Sequence, residues 1–203
     1  MSEIANACEA VRSVVLAERA AKDLAQWDEM AACFAADASV RVSWFQGSAA
    51  DFVTASKKRH DAKNTPSFHE IGSVHVRILG NRAIANASCA VHIRGSVTDA
   101  TGDVAVDVVS RGRVYWRVER TDRWLIAGLD MVYMRDSIVP VDPTSPISPA
   151  AISGVERNRI SYQWISLLLA QKGHRIDPDL PGVDRPDLVA EFLAAQEEWL
   201  AAV

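Results

Sequence analysis

Apolar residues near the start of the chain recur at spacings of three and four. Ile4, Cys8, Val11 and Val15 fall on one face of a helix, which predicts a first element over about residues 3–22. A second, short helix is expected over "WDEMAACF", with Trp27, Met30, Ala31 and Phe34 turned inward. "ASVRVSWF" alternates apolar and polar positions and reads as a strand. "SAADFVTASKKRHDAKN" returns to the helical period. Ser48 is its N-cap, and Asp51, three residues on, takes the place a capping box gives to Glu or Gln.

Past Pro66 the period changes to two. "FHEIGSVHVRILG" and "RAIANASCAVHIRG" are long strand candidates joined by Gly80-Asn81, a short hairpin signal. "DVAVDVVSRGRVYWRVER" and "RWLIAGLDMVYMRD" follow, joined by Thr121-Asp122. Long consecutive strands make a meander, strongly curved where Gly72, Gly95, Gly112 or Gly128 marks a bulge. The order α, α, β, α and then repeated β describes an α+β domain, helices on one face of an antiparallel sheet, over residues 1–138. "IVPVDPTSPISP" is expected as an extended linker over 139–156, because proline fixes its own backbone and restricts the residue before it. Residues 157–203 read as a C-terminal helical extension. Its first helix stops at Gly173 and its second starts after Asp184 with Pro186 in the first turn. Ile160, Trp164, Leu167 and Leu168 form a stripe that has to bury against the main domain or a second subunit.

With 49% apolar and 24% charged residues, neither a disordered nor a membrane class is indicated, and the longest apolar runs, such as "WISLLLA", fall far short of a span. "MSEIANACEAVRSVV" carries acids and lacks a basic region followed by an apolar run, so a cytoplasmic location is the expectation. Cys8, Cys33 and Cys89 are odd in number and widely spaced among alanines, which reads as buried reduced thiols. A net charge of -4 argues against nucleic acid as the main partner. The one basic run, "KKRH" at 57–60, reads as a solvated helix face without interleaved stacking aromatics. His60, His69, His75, His92 and His174 show neither a His-x-x-x-His helix nor a cluster with cysteine, so no metal is expected. Gly-x-Gly-x-x-Gly and P-loop patterns are absent, so no cofactor is implied.

Three stretches between roughly residues 5 and 136 fall in a telling order. "DLAQWDEMAACFAADA" has an acid, then Trp-Asp, then a Phe-x-x-Asp-Ala close. "SFHEIGSVHV" sets a His at the start of a long strand, and "RTDRWLIAGLDMVYMRDSIVPVDP" supplies a turn, a Trp and a final strand. Together they resemble the SnoaL-like branch of the nuclear transport factor 2-like superfamily. The resemblance implies a cystatin-like cone, a curved antiparallel sheet wrapped around N-terminal helices, with a pocket at its open end that admits a small hydrophobic molecule. It also implies a homodimer or homotrimer built through the outer sheet face.

Several dehydratase, dehydrochlorinase and isomerase members of the superfamily use an Asp and a His lining that pocket, and the matching positions are Asp23 and His69. A carboxylate bonded to one imidazole nitrogen fixes the tautomer and leaves the other nitrogen to remove a proton from substrate. The resemblance therefore implies a cofactor-independent lyase or isomerase acting on a polyketide, terpenoid, steroid or aromatic. The alternative is a non-catalytic small-molecule-binding or assembly module of the same fold. An epoxide-opening hydrolase is a third reading, for which no Asp-Arg-Asp set assembles. Each residue also has a plainer role: Asp23 as N-cap of a helix beginning at Leu24, and His69 as a strand-edge histidine satisfied by backbone.

Glu18 stands where some catalytic members carry Tyr or Lys, and is either a second pocket acid or a solvated helix residue. Ser73 replaces an Asn that often follows the His, and Val114 and Trp116 stand where many relatives carry Tyr and Asp. Trp44, His92, Arg113 and Tyr115 complete the pocket candidates. Strict alternation puts His69 with Ile71, Ser73 and His75, opposite Val74, Val76 and Ile78. If the valines face the helices, His69 reaches the pocket only through an irregularity near residues 70–73, with Gly72 its natural site.

Overall fold

Helix α1 (Glu3–Asp23) buries Val11 and Val15 completely, as its period requires, and lies on the concave face of a curved sheet. The computed structural model describes residues 3–62, 67–100, 102–171, 173–174 and 176–202. Helix α2 (Trp27–Ala32) is shorter than expected, because Phe34 already opens strand β1 (Phe34–Val42). Met30 and Phe34 are buried, but Ala31 is exposed. Strand β2 (Phe45–Ser48) leads into α3 (Ala49–Asp61), whose N-cap Ser48 accepts the Asp51 amide at 3.1 Å and donates to its carboxylate at 2.7 Å. Residues 63–64, expected to finish that helix, and Pro66 lie outside the described residues.

The remaining strands are β3 (Phe68–Ile71), β4 (His75–Leu79), β5 (Arg82–Asp99), β6 (Gly102–Arg120) and β7 (Trp124–Pro140). Their order in the sheet is β2-β1-β7-β6-β5-β3, with β4 also on β5. The pairs between these strands are antiparallel except β1 with β7, which is parallel. The hairpin at Gly80-Asn81 forms with Leu79 opposite Arg82, and the next turn spans three residues, with Arg120 opposite Trp124. Register shifts beside Gly112 and Gly128 bend β6 and β7. Gly95 marks no bulge. A β-carbon there would meet Leu168 Cδ1 at 2.6 Å, so glycine is what lets a C-terminal helix approach the sheet.

Two apolar clusters share the concave face. One joins α1, α2 and α3 to the Ala83–Cys89 end of β5 and to Val114, Trp116 and Val118. The other joins Val97, Val106, Val108, Met131 and Tyr133 to Tyr162, Ile165, Leu168 and Leu169 of the C-terminal region. Strand β7 continues through Pro140 and Val141 bonds Ala105, so the start of the expected linker is sheet. Beyond it come two 3-10 turns, Val155–Arg157 and Ile160–Tyr162, and then helix α4 (Gln163–Ala170). Helix α4 is shorter than the expected helix because Asp136 Oδ2 accepts the Trp164 and Ile165 amides at 2.8 Å and sets its start. Gly173, at φ 76, closes it. The buried stripe is Ile165, Leu168 and Leu169, while Ile160 is 66% exposed.

Pro181 and Val183 bond the backbone of Tyr133, extending the sheet where β1 has ended. Arg159 grips Asp184 with both arms and fixes this return. Helix α5 (Pro186–Ala201) starts at Pro186 and crosses the outer face, where Phe192 meets Tyr115 and Trp199 meets Arg82. Part of the face expected to carry a dimer or trimer contact is thus covered by the chain itself. No helix among the described residues is long and apolar enough to cross a membrane.

Candidate functional site

Asp23 is the last residue of α1 and not the cap of a helix beginning at Leu24. The chain leaves α1 by a Schellman turn: Gln26 N–H bonds Ala21 O, Ala25 N–H bonds Lys22 O, and Ala25 takes φ 57. Helix α2 begins at Trp27 with no side-chain cap. An acid at a helix C-terminus opposes the macrodipole, so its partner has to come from elsewhere. That partner is His69: Asp23 Oδ2 accepts the His69 backbone N–H at 2.8 Å, and Oδ1 lies 2.6 Å from Nδ1. Since β3 pairs only with β5 among the described residues, this carboxylate satisfies an edge amide as well as the ring.

His69 faces inward because of a bulge. Ile71 pairs with Cys89 and His75 with Asn86, so four steps on one strand meet three on the other. The extra residue, within Gly72–Val74, brings His69, Val74, Val76 and Ile78 onto the helix side. Arg12 Nε of α1 donates to the Val74 carbonyl that the bulge frees, at 3.2 Å. Four residues before Asp23 on the same helix face, Arg19 sends Nη1 to within 3.5 Å of His69 Nε2. Its other edge forms a two-point pair with Glu18, Nε to Oε2 at 2.5 Å and Nη2 to Oε1. Both residues are buried, so Glu18 anchors Arg19 and corrects the reading of it as a pocket acid or a solvated residue.

Burial resists charging of His69 and Arg19 reinforces this, while Asp23 favours it. The outcome is a pKa lowered to about 4. Burial of Asp23 is outweighed by its bonds from the His69 ring and backbone, so its pKa lies below the ordinary value. Near neutrality the pair is a carboxylate and a neutral imidazole with the proton on Nδ1. Nε2 is left with a lone pair. Lys22, beside them, is held down to about 8 by burial and by Arg19.

These groups line a cavity between the two apolar clusters. Its more exposed side is Lys22, Trp27, Arg59, His60 and Ser67. Its buried side is Phe52, Leu129, Met131, Tyr133, Ile165, Leu168 and Leu169. Trp44 lines it as expected, packed 5.3 Å from Phe52 and covered by the Arg59 guanidinium at 4.4 Å. Besides Glu18, four expected pocket residues are elsewhere. Ser73 is exposed within the bulge. His92 is on the outer face, stacked on Phe68 at 4.4 Å and 3.3 Å from Glu70 without hydrogen-bond geometry. Arg113 bonds Asn86 at 2.5 Å, and Tyr115 lies under Phe192. The phase of β6 explains the last two: even residues from Val106 to Val118 point inward and odd ones outward.

Sequence reasoning passed over Arg19, Lys22, Ser56 and Arg59. Phe52, Ser56 and Arg59 follow the helical period across "KKRH", so this run is not wholly solvated: Lys57 and Lys58 are exposed, and Arg59 turns in. Cys8, Cys33 and Cys89 are free thiols, with only Cys89 fully buried. No three His, Cys, Asp or Glu side chains among the described residues gather as metal ligands.

A family model for the SnoaL-like domain matches residues 3–130. No curated protein sequence matches the chain. Among solved structures, a candidate aromatic ring hydroxylase from Novosphingobium aromaticivorans is 16% identical, with TM-score 0.54, over 70% of this chain and 96% of that one. A candidate scytalone dehydratase from the same organism is 15% identical, with TM-score 0.53, over 70% and 93%. A type 2 hexachlorocyclohexane dehydrochlorinase is 10% identical, with TM-score 0.51, over 70% and 92%. At these identities the likeness is one of fold.

Proposed function

The chain belongs to the SnoaL-like domain family, and from that premise we propose that it is a cofactor-independent lyase or isomerase of the dehydratase type. Its substrate is a small hydrophobic molecule with an acidic C–H bond. The observation that carries this reading is the Asp23–His69 pair, 2.6 Å apart at the wall of an apolar cavity. Asp23 holds the imidazole by Nδ1, and Nε2 takes the proton from carbon. The carbanion so formed then expels a leaving group or is reprotonated at another carbon. Positive charge developing on the ring is balanced by Asp23, and charge on a substrate oxygen by Arg19.

One observation favours the alternative, a binding module without catalysis. Arg19 Nη1 sits 3.5 Å from Nε2, so the lone pair required of a base already faces a donor. Proton exchange separates the two readings without knowledge of the natural substrate. Incubation with 2-tetralone in D2O, followed by NMR, reports removal of its acidic C–H protons. The enzyme reading expects exchange above the buffer rate, reduced about 10²- to 10⁴-fold in His69→Gln. Exchange that survives this substitution undiminished removes His69 from the mechanism. Binding of the ketone without exchange supports the module.

A further inference from the structure

The polar groups of the cavity are unevenly satisfied. Arg19 is neutralised by Glu18 and Asp23 is engaged by His69. Lys22 has no ion pair among the described residues, although it feels the charges of Arg19, Asp23, Glu18 and Arg59. Arg59 Nη1 and Ser56 Oγ are buried and have no hydrogen-bond partner among the described residues. Ser56 and Arg59 stand three residues apart on one face of α3, and both line the cavity with Lys22 of α1. Arg59 is held in place by its stacking over Trp44.

Buried donors without acceptors are costly, and two cations that line one partly buried cavity repel one another. An anionic oxygen placed among them relieves both penalties. A neutral apolar ligand relieves neither. We propose that Lys22, Ser56 and Arg59 form a subsite for an anionic oxygen, so that the ligand is a ring-sized apolar molecule carrying a carboxylate or an acidic enol or phenol. Its apolar body lies toward Met131, Leu168 and Leu169. The inference rests on the reading of this cavity as the small-molecule site, and extends it by naming the charge of the molecule that enters.

The test is calorimetric titration with naphthalene-2-carboxylate and its isosteric neutral amide, naphthalene-2-carboxamide, at pH 7. The carboxylate is expected to bind about 10-fold or more tightly than the amide, the scale of one charge-assisted bond. Lys22→Met and Arg59→Met are expected each to lower carboxylate affinity by about 10-fold and to leave amide affinity within about twofold, which also shows that the variants are folded. Arg59→Lys is expected to retain part of the preference. Equal affinity for the two ligands, or variants that weaken both alike, overturns the anion subsite and leaves the apolar cavity standing. If neither ligand binds at millimolar concentration, the subsite and the small-molecule reading of the cavity fall together.

Discussion

Replacing His69 with Gln is expected to change how stability responds to acid. In the folded chain the imidazole stays neutral down to about pH 4, whereas in the unfolded chain it takes a proton near the ordinary value of about 6.5. Between those values the unfolded state holds more protons, so this group removes stability as pH falls through the window. At about 1.4 kcal/mol per tenfold change in proton affinity, the loss is about 3 kcal/mol. Its side chain is only 7% exposed, so little of this is screened away. Asp136 works the other way: burial raises its pKa to about 6, so the folded state holds its proton first and gains stability as pH falls from 6 toward 4. In the wild-type profile the two effects oppose one another. The informative quantity is the difference between proteins. Urea denaturation at pH 7 and pH 4 should show His69→Gln gaining about 3 kcal/mol on wild type across the interval. Asp23, deprived of the ring, adds to the gain in the same direction. Parallel profiles, within about 0.5 kcal/mol, would refute the buried neutral imidazole.

On the proposed reading the exchange rate with 2-tetralone should be flat from pH 8 to about 5 and fall with a midpoint near 4, since the base is lost when Nε2 is protonated; a midpoint near 6.5 contradicts this. Ala25→Gly should stabilise by about 0.5 kcal/mol in urea titration, because relief of the left-handed strain exceeds the added freedom of the unfolded chain. A loss of stability there would remove the Schellman turn as the device that aims Asp23. Truncation after residue 142 uncovers Val97, Val106, Val108, Met131 and Tyr133, worth about 10 kcal/mol at 1.5–3 each, comparable to the whole stability of a domain. The truncated chain should lack a cooperative melt, and an unchanged Tm would show that the extension is dispensable.

Elements with a strong period were legible in the sequence: α1 within one residue at its end, the Ser48 cap, the Gly80-Asn81 hairpin and Pro186 at the start of α5. The bulge was legible through a contradiction, since no regular strand puts His69 and Val74 on one face. What escaped were features decided by distant partners. The sequence around Phe34 continues the helical pattern of α2, yet pairing with Ile126 of β7 makes it a strand. His92, Arg113 and Tyr115 sit on strands whose inward phase depends on pairings made far along the chain. Arg59 was hidden in a basic run whose composition suggests solvent, although its spacing from Phe52 and Ser56 points inward.

The cavity is a joint product of two parts of the chain, and they contribute different things. Arg19, Lys22, Asp23 and His69 all fall within the span matched by the SnoaL-like model. Tyr133, Ile165, Leu168 and Leu169 fall beyond it, yet they close the opposite side of the same space. Gly95, inside the matched span, has no side chain where Leu168 of α4 docks, so the sheet is shaped to receive the extension. On the proposed function, proton chemistry belongs to the family part. One wall of the space it faces is α4, which Asp136 fixes at its first turn. On the proposed function, substitutions in α4 should therefore alter which molecule binds before they alter proton transfer at His69.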